Sequence, residues 1–136
     1  HHQKEENILF PAMHRGGMPT DMGPIACMLK EHHQGREFVA GMAAAADALR
    51  AGRPEAAAQF RADAAGYARL LADHIYKEDN ILFMMAERVV GEETLAALAP
   101  EFTKAEVDCA AGRYEEFEAW AHALEHELAG AAVVTR

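Results

Sequence analysis

Two stretches of the sequence set a histidine and a glutamate four residues apart inside nearly the same ten-residue pattern, HHQKEENILF at residues 1–10 and HIYKEDNILF at 74–83. Seven of the ten positions are identical, at a separation of 73 residues. A histidine and a glutamate at i and i+4 share one face of a helix, so both can address a single cation. The spacing alone is weak, because random placement of the eight histidines and 22 acids gives about 1.3 such pairs, and His33/Glu37 reads as one of them. Its recurrence within a longer repeat is more specific. It implies two equivalent helices, each followed by an antiparallel neighbour and related by an approximate twofold axis, with a site built between them from both copies.

Helical facing selects which members of each pattern point inward. Tyr67, Leu70, Leu71, Glu78, Ile81, Leu82 and Met85 share a stripe with His74, which makes His74 and Glu78 polar groups in an apolar face. The same geometry groups His1 and Glu5 with Ile8, Leu9 and Ala12, while His2 and Glu6 fall toward the flank. Between the two copies, Ile25, Met28, Leu29, His32, Val39 and Leu49 form a further stripe, and His33 turns toward Lys30 and Glu37. The candidate ligands are therefore His1, Glu5, His32, His74 and Glu78, with His2 and Glu6 as substitutes. A satisfied core histidine is the plain alternative for His32, and a buried ion pair for His74/Glu78. Burying three imidazoles and two carboxylates without compensation is prohibitively costly, and a divalent cation is the usual compensation. A His/carboxylate set without thiolate suits iron or manganese and could accept zinc. His122 and His126 are also four apart, but they oppose the stripe of Tyr114, Phe117, Trp120, Leu124 and Leu128 and read as a solvated face.

Glycine and proline mark out the helices that must position these groups. The first runs from residue 1 to about His14 and stops at Gly16-Gly17; Pro24 opens a second that ends near Gly52. A third extends from about Pro54 to Val90, with Gly91 as its stop and a possible kink at Gly66. A segment from Glu92 to Ala111, interrupted by Pro100, precedes a last helix from Arg113 to about Leu128. No strand pattern competes, and the alanine-rich, 51% hydrophobic composition favours an all-α fold. We expect residues 1–90 to carry the metal-binding helices and residues 91–136 to be a helical extension packed on the same domain.

A net charge of −9, with no long basic run, argues against nucleic acid as a partner. No membrane span is visible. Cys27 and Cys109 lack the short spacing of a redox or zinc pair and read as reduced thiols of a cytoplasmic protein. Met84 and Met85 follow the second motif closely enough to line a pocket.

The runs HHQKEENILFP, EHHQGREF and HIYKEDNILF, in this order over roughly residues 1–90, resemble the bacterial hemerythrin-like, or HHE cation-binding, domain. The resemblance implies an up-down helical bundle with extra C-terminal helices and a carboxylate-bridged, non-haem centre of two iron ions. It carries ligand roles to His1 and Glu5, to His32, and to His74 and Glu78. The chain departs from the family pattern in three places. The family's first helix would precede residue 1, so an upstream helix bearing a further histidine is expected. Arg36 stands where oxygen-carrying hemerythrins have a second histidine. Their last carboxylate falls five residues after its histidine, which would point to Asp79. These departures turn the expectation from reversible oxygen carriage toward sensing of, or reaction with, oxygen, peroxide or nitric oxide. The alternatives are a peroxidase-like or nitric oxide-reducing activity, iron donation for cluster repair, and a structural zinc site in a homo-oligomer or protein-interaction module. An open coordination position separates the reactive readings from the structural one.

Overall fold

The computed structural model describes the backbone of residues 1–110 and 113–134, and their side chains except at 108–110, 114–115 and 128–134. Five helices make up the described residues, with no strand among them. Helix α1 is α-helical over His2–Lys4 and Phe10–Arg15 and π-helical over Glu5–Leu9; α2 is Gly23–Arg50. Helix α3 is α-helical over Ala56–Lys77, π-helical over Glu78–Leu82, and α-helical again over Phe83–Val90. Helices α4 and α5 are Glu92–Ala110 and Arg113–Val134. The chain divides into two compact units, His1–Leu98 and Ala99–Arg136.

The helix boundaries follow local chemistry. Pro24 lies in the first turn of α2, where its missing N–H costs no hydrogen bond. Gly52 (φ 78°) and Gly91 (φ 81°) end α2 and α3 in the left-handed region that glycine enters without steric cost. Helix α3 continues through Gly66 without a break, because a tight helix contact occupies that position: a Cβ there would lie 2.6 Å from the Phe38 ring. Helix α4 also continues through Pro100, against the expected interruption. The proline removes one main-chain donor, but its fixed φ lies within the helical range.

In the first unit α1, α2 and α3 run up, down and up. Glu6 of α1 meets His32 and Arg36 of α2, while Glu31 of α2 meets His74 and Lys77 of α3. This is the hemerythrin-like, all-α bundle expected from the sequence. Its core is formed by Met13, Ile25, Met28 and Leu82, with His32 buried among them. Burying such side chains contributes about 1.5–3 kcal/mol each.

The inward faces differ from the expected stripes in two places. Val39 and Leu49 are exposed, and the inner face of α2 is lined instead by Gly35, Ala45 and Ala48. Alanine at 45 and 48 lets two long helices approach closely, so the large Val39 and Leu49 are left outside. Ile81 is also exposed, whereas Leu82 is 1% exposed. The π turn is the cause. With the Phe83 N–H donating to the carbonyl of Glu78, five residues back, one residue is added to the turn, and the buried positions become His74, Glu78, Leu82 and Ala86 at a steady spacing of four. The repeat in α1 behaves in the same way: Phe10 donates to Glu5, and Glu5, Leu9 and Met13 point inward. Met84 is exposed rather than lining a pocket. In the second unit Phe117, Trp120 and Leu124 are exposed, so that face of α5 is not a core stripe; Tyr114 and Leu128 lie outside the described side chains.

Candidate metal centre

Four of the five expected residues converge in the core of the first unit. Glu5, His32, His74 and Glu78 are each at most 3% exposed, and one ligand atom from each lies within 4.8 Å of the others. His32 Nε2 stands 3.0 Å from Glu5 Oε2, and His74 Nε2 stands 2.9 Å from Glu78 Oε1. His1 sits at the edge of this group with a largely exposed ring, its Nε2 3.5 Å from Glu5 Oε1 and 3.6 Å from Glu78 Oε1. Each π turn begins at the glutamate of its motif, a local device frequent at functional sites.

Both buried histidines are held from behind. His32 Nδ1 bonds Glu6 Oε1 at 2.7 Å, and Arg36 donates to the same oxygen at 2.9 Å. His74 Nδ1 bonds Glu31 Oε2 at 2.9 Å, and Lys77 donates to the other oxygen of Glu31. A carboxylate on Nδ1 fixes the proton there, so each Nε2 presents a lone pair inward, the arrangement that orients metal-bound histidines. The Cys27 thiol adds a weak contact to Glu31 at 3.6 Å. His32 is further clamped between rings, with His2 stacked at 3.8 Å and Phe10 at 5.9 Å.

Electrostatics reflect this crowding. Burial pushes the Glu5 carboxyl up, but the adjacent His1, His32 and Glu78 side chains outweigh it and hold Glu5 well below the usual carboxylate range. Burial and the adjacent Glu5 charge raise Glu78, so the two carboxylates share their site unequally. Burial opposes protonation of His32, yet Glu5 and Glu6 together raise it. His2 moves the other way, to about 4, through burial and the neighbouring His32 and His74. Outside the cluster, Arg36 and His32 hold Glu6 low against its burial, as Lys77 and His74 do for Glu31.

The donor set fits a cation on an observation independent of these shifts. Both oxygens of Glu5, Oε1 of Glu78, and Nε2 of His32 and of His74 are buried with no hydrogen-bond partner. The proximity of the two imidazoles to the two carboxylates is therefore not hydrogen bonding; acceptors face acceptors, which is costly unless a positive ion lies between them. His2, His32 and His74 form a second, all-nitrogen group that could hold a cation.

Asp79 is exposed, which leaves Glu78 as the inward carboxylate of the second motif. The remaining histidines make other contacts: His14 bonds the Met18 carbonyl, His33 pairs with Glu37, His122 pairs with Glu125, and His126 is exposed. Glu31 and the outer role of Glu6 were not visible in the sequence. Glu31 directly precedes His32, and that adjacency is the only signal it offers. Cys27 is a free, exposed thiol, and Cys109 lies outside the described side chains. No helix among the described residues is long and apolar enough to cross a membrane.

Comparison with known proteins agrees with this geometry. Proteins named iron-sulfur cluster repair protein YtfE, from Escherichia coli O139:H28, Escherichia coli K12 / DH10B and Shigella boydii serotype 18, are each 36% identical to the chain over 89 residues. The matched region covers 63% of this chain and 40% of theirs, so the chain spans about two fifths of the length of these curated relatives. No solved structure is significantly similar. Residues 1–86, which contain every member of the buried cluster, match the hemerythrin HHE cation binding domain, and the chain belongs to that family.

Proposed function

We propose that the chain binds non-haem iron as a two-ion centre held by His1, Glu5, His32, His74 and Glu78, and that this centre senses or reacts with oxygen, peroxide or nitric oxide. The observation that carries the reading is the set of five buried acceptor atoms on Glu5, His32, His74 and Glu78 that have no partner and face one another. Glu5 and Glu78 would supply the carboxylates of this centre, since each stands near a buried imidazole and both stand near His1. Iron bound by such nitrogen and oxygen donors supplies a redox-active Lewis acid able to take up a small ligand. The protein's part is to hold both imidazoles in one tautomer through Glu6 and Glu31, and to keep Glu5, His32, His74 and Glu78 buried from bulk water. Five protein donors would be too few to fill the coordination of two iron ions, leaving room for a small ligand.

The test is metal analysis of protein purified without oxygen, followed by optical spectra on adding each ligand to the reduced, iron-loaded chain. Close to two irons per chain and a new visible band, both lost in Glu78→Ala, are expected. Iron-loaded protein that responds to none of the three, while zinc confers the same stability, would replace this reading with a structural zinc site. The names of the 36%-identical relatives favour a second reading, donation of iron for cluster repair. In that case reduced iron should pass to an apo iron–sulfur protein faster than to a chelator of equal affinity.

A further inference from the structure

Three glycines lie along the contact between α2 and α3, and at two of them an added Cβ would meet a side chain at less than contact distance. A Cβ at Gly66 would press into the Phe38 ring at 2.6 Å, and one at Gly41 would land on the Asp63 carboxylate. Gly35 differs from both. It is buried, yet a Cβ there would stand 3.5 Å from Tyr67 Cε2 and 3.7 Å from Leu70 Cδ2, which is ordinary van der Waals contact. Its backbone is helical, with no positive φ to favour glycine. Neither close approach nor conformation therefore requires glycine in the middle of a 28-residue helix, where it is about 1 kcal/mol less favourable than alanine.

What the missing side chain leaves is space next to the buried cluster. Gly35, Tyr67, Leu70 and Leu71 form the apolar wall of a cavity, and His2, Glu31 and His74 form its polar side. The cavity has room for about one water-sized molecule. We propose that Gly35 keeps open a ligand pocket beside His74 and sets its size, so that the centre admits neutral diatomic molecules and excludes larger ligands. The apolar wall suits a small neutral molecule, and the Glu31 carboxylate, already engaged by His74 and Lys77, disfavours an anion. A methyl group at position 35 fits without displacing its neighbours, so it would fill the pocket and leave the helix contact intact. The inference deepens the small-ligand reading above and rests on it.

The experiment uses the full chain, iron-loaded and reduced, mixed rapidly with nitric oxide, alongside the metal-free protein in a thermal melt. Gly35→Ala should keep its iron content, melt no lower than wild type when metal-free, and bind nitric oxide about tenfold more slowly or worse. Leu70→Ala, which opens the facing wall, should instead speed binding of a larger probe, ethyl isocyanide, relative to nitric oxide. A lower metal-free melting temperature or lost iron in Gly35→Ala would make Gly35 a packing glycine and overturn the proposal. An unchanged nitric oxide rate in Gly35→Ala would do the same while leaving the small-ligand reading standing. A wild-type protein that holds iron but ignores nitric oxide would defeat both.

Discussion

Replacing Glu31 by alanine separates the orienting role of the outer carboxylates from a merely structural one. Glu31 is nearly buried, bonds His74 Nδ1 at 2.9 Å through one oxygen, and takes Lys77 on the other. Loss of such an outer partner typically weakens metal binding 10- to 100-fold, about 1.4–2.7 kcal/mol. The two-pronged, shielded geometry places Glu31 toward the upper end. In the metal-free protein the substitution has a smaller cost, on the order of 1 kcal/mol, for the stranded Nδ1–H. Lys77 adds little to that cost because its side chain is 33% exposed and can turn to water. Metal-loaded protein loses this cost plus the binding energy that no longer favours the folded state. Its melting temperature should therefore fall by roughly 5–10 °C more than that of metal-free protein. Calorimetric metal titration and paired melts of both forms measure the two quantities. Equal destabilisation with and without metal, at unchanged affinity, would refute the orienting role. Glu6→Ala should act in the same direction but less strongly, because Glu6 and its Arg36 partner are more exposed.

Glu78→Gln should weaken metal binding at least about tenfold while leaving the metal-free protein as stable or more so, since burial and Glu5 already disfavour the Glu78 charge; melts and metal content check this together. Metal affinity should rise with pH. Cation binding requires ionised Glu78 and a free His32 Nε2, and both groups hold their protons above their usual values, 6.5 for the histidine, so protons compete as pH falls toward and below that range. Metal titrations in two buffers of different ionisation enthalpy should show net proton release at about pH 6 that declines by about pH 8. Gly66→Ala should destabilise the fold by about 1–3 kcal/mol through its clash with Phe38, opposite in sign to Gly35→Ala, as read by denaturant unfolding.

Most of the buried cluster was legible in the sequence because two independent signals coincide on it. The repeat picks out Glu5, His74 and Glu78, and the apolar stripes mark His74, Glu78 and His32 as polar groups in a hydrophobic setting. The helix ends were legible because glycine and proline act locally. The π turns were not, since nothing in the intrinsic preferences of EENIL or EDNIL distinguishes a five-residue turn from an α-helical one; the main-chain bonds of Phe10 to Glu5 and Phe83 to Glu78 reveal them, as does the burial of Leu82 in place of Ile81. The inner face of α2 was misread at Val39 and Leu49 because hydrophobicity rewards large side chains, whereas a close helix pair selects small ones such as Ala45 and Ala48. Glu31 and Glu6 were hidden for a different reason. On their own helices they look like ordinary flanking acids, and their roles depend on which imidazole a neighbouring helix presents.

The outer shell also explains how so polar a core can be tuned to cations. Arg36 with Glu6, and Lys77 with Glu31, are each a neutral pair, so they orient His32 and His74 without adding net charge. The charge facing a metal then comes from Glu5 and Glu78 alone. One divalent ion would be balanced by these two carboxylates, whereas two would leave the centre with about two positive charges, enough to favour hydroxide or reduced, anionic forms of a small ligand. Iron stoichiometry therefore decides more than occupancy. With two ions, the residual positive charge would favour an anionic ligand; with one, Glu5 and Glu78 would balance it, which suits holding iron more than reacting at it.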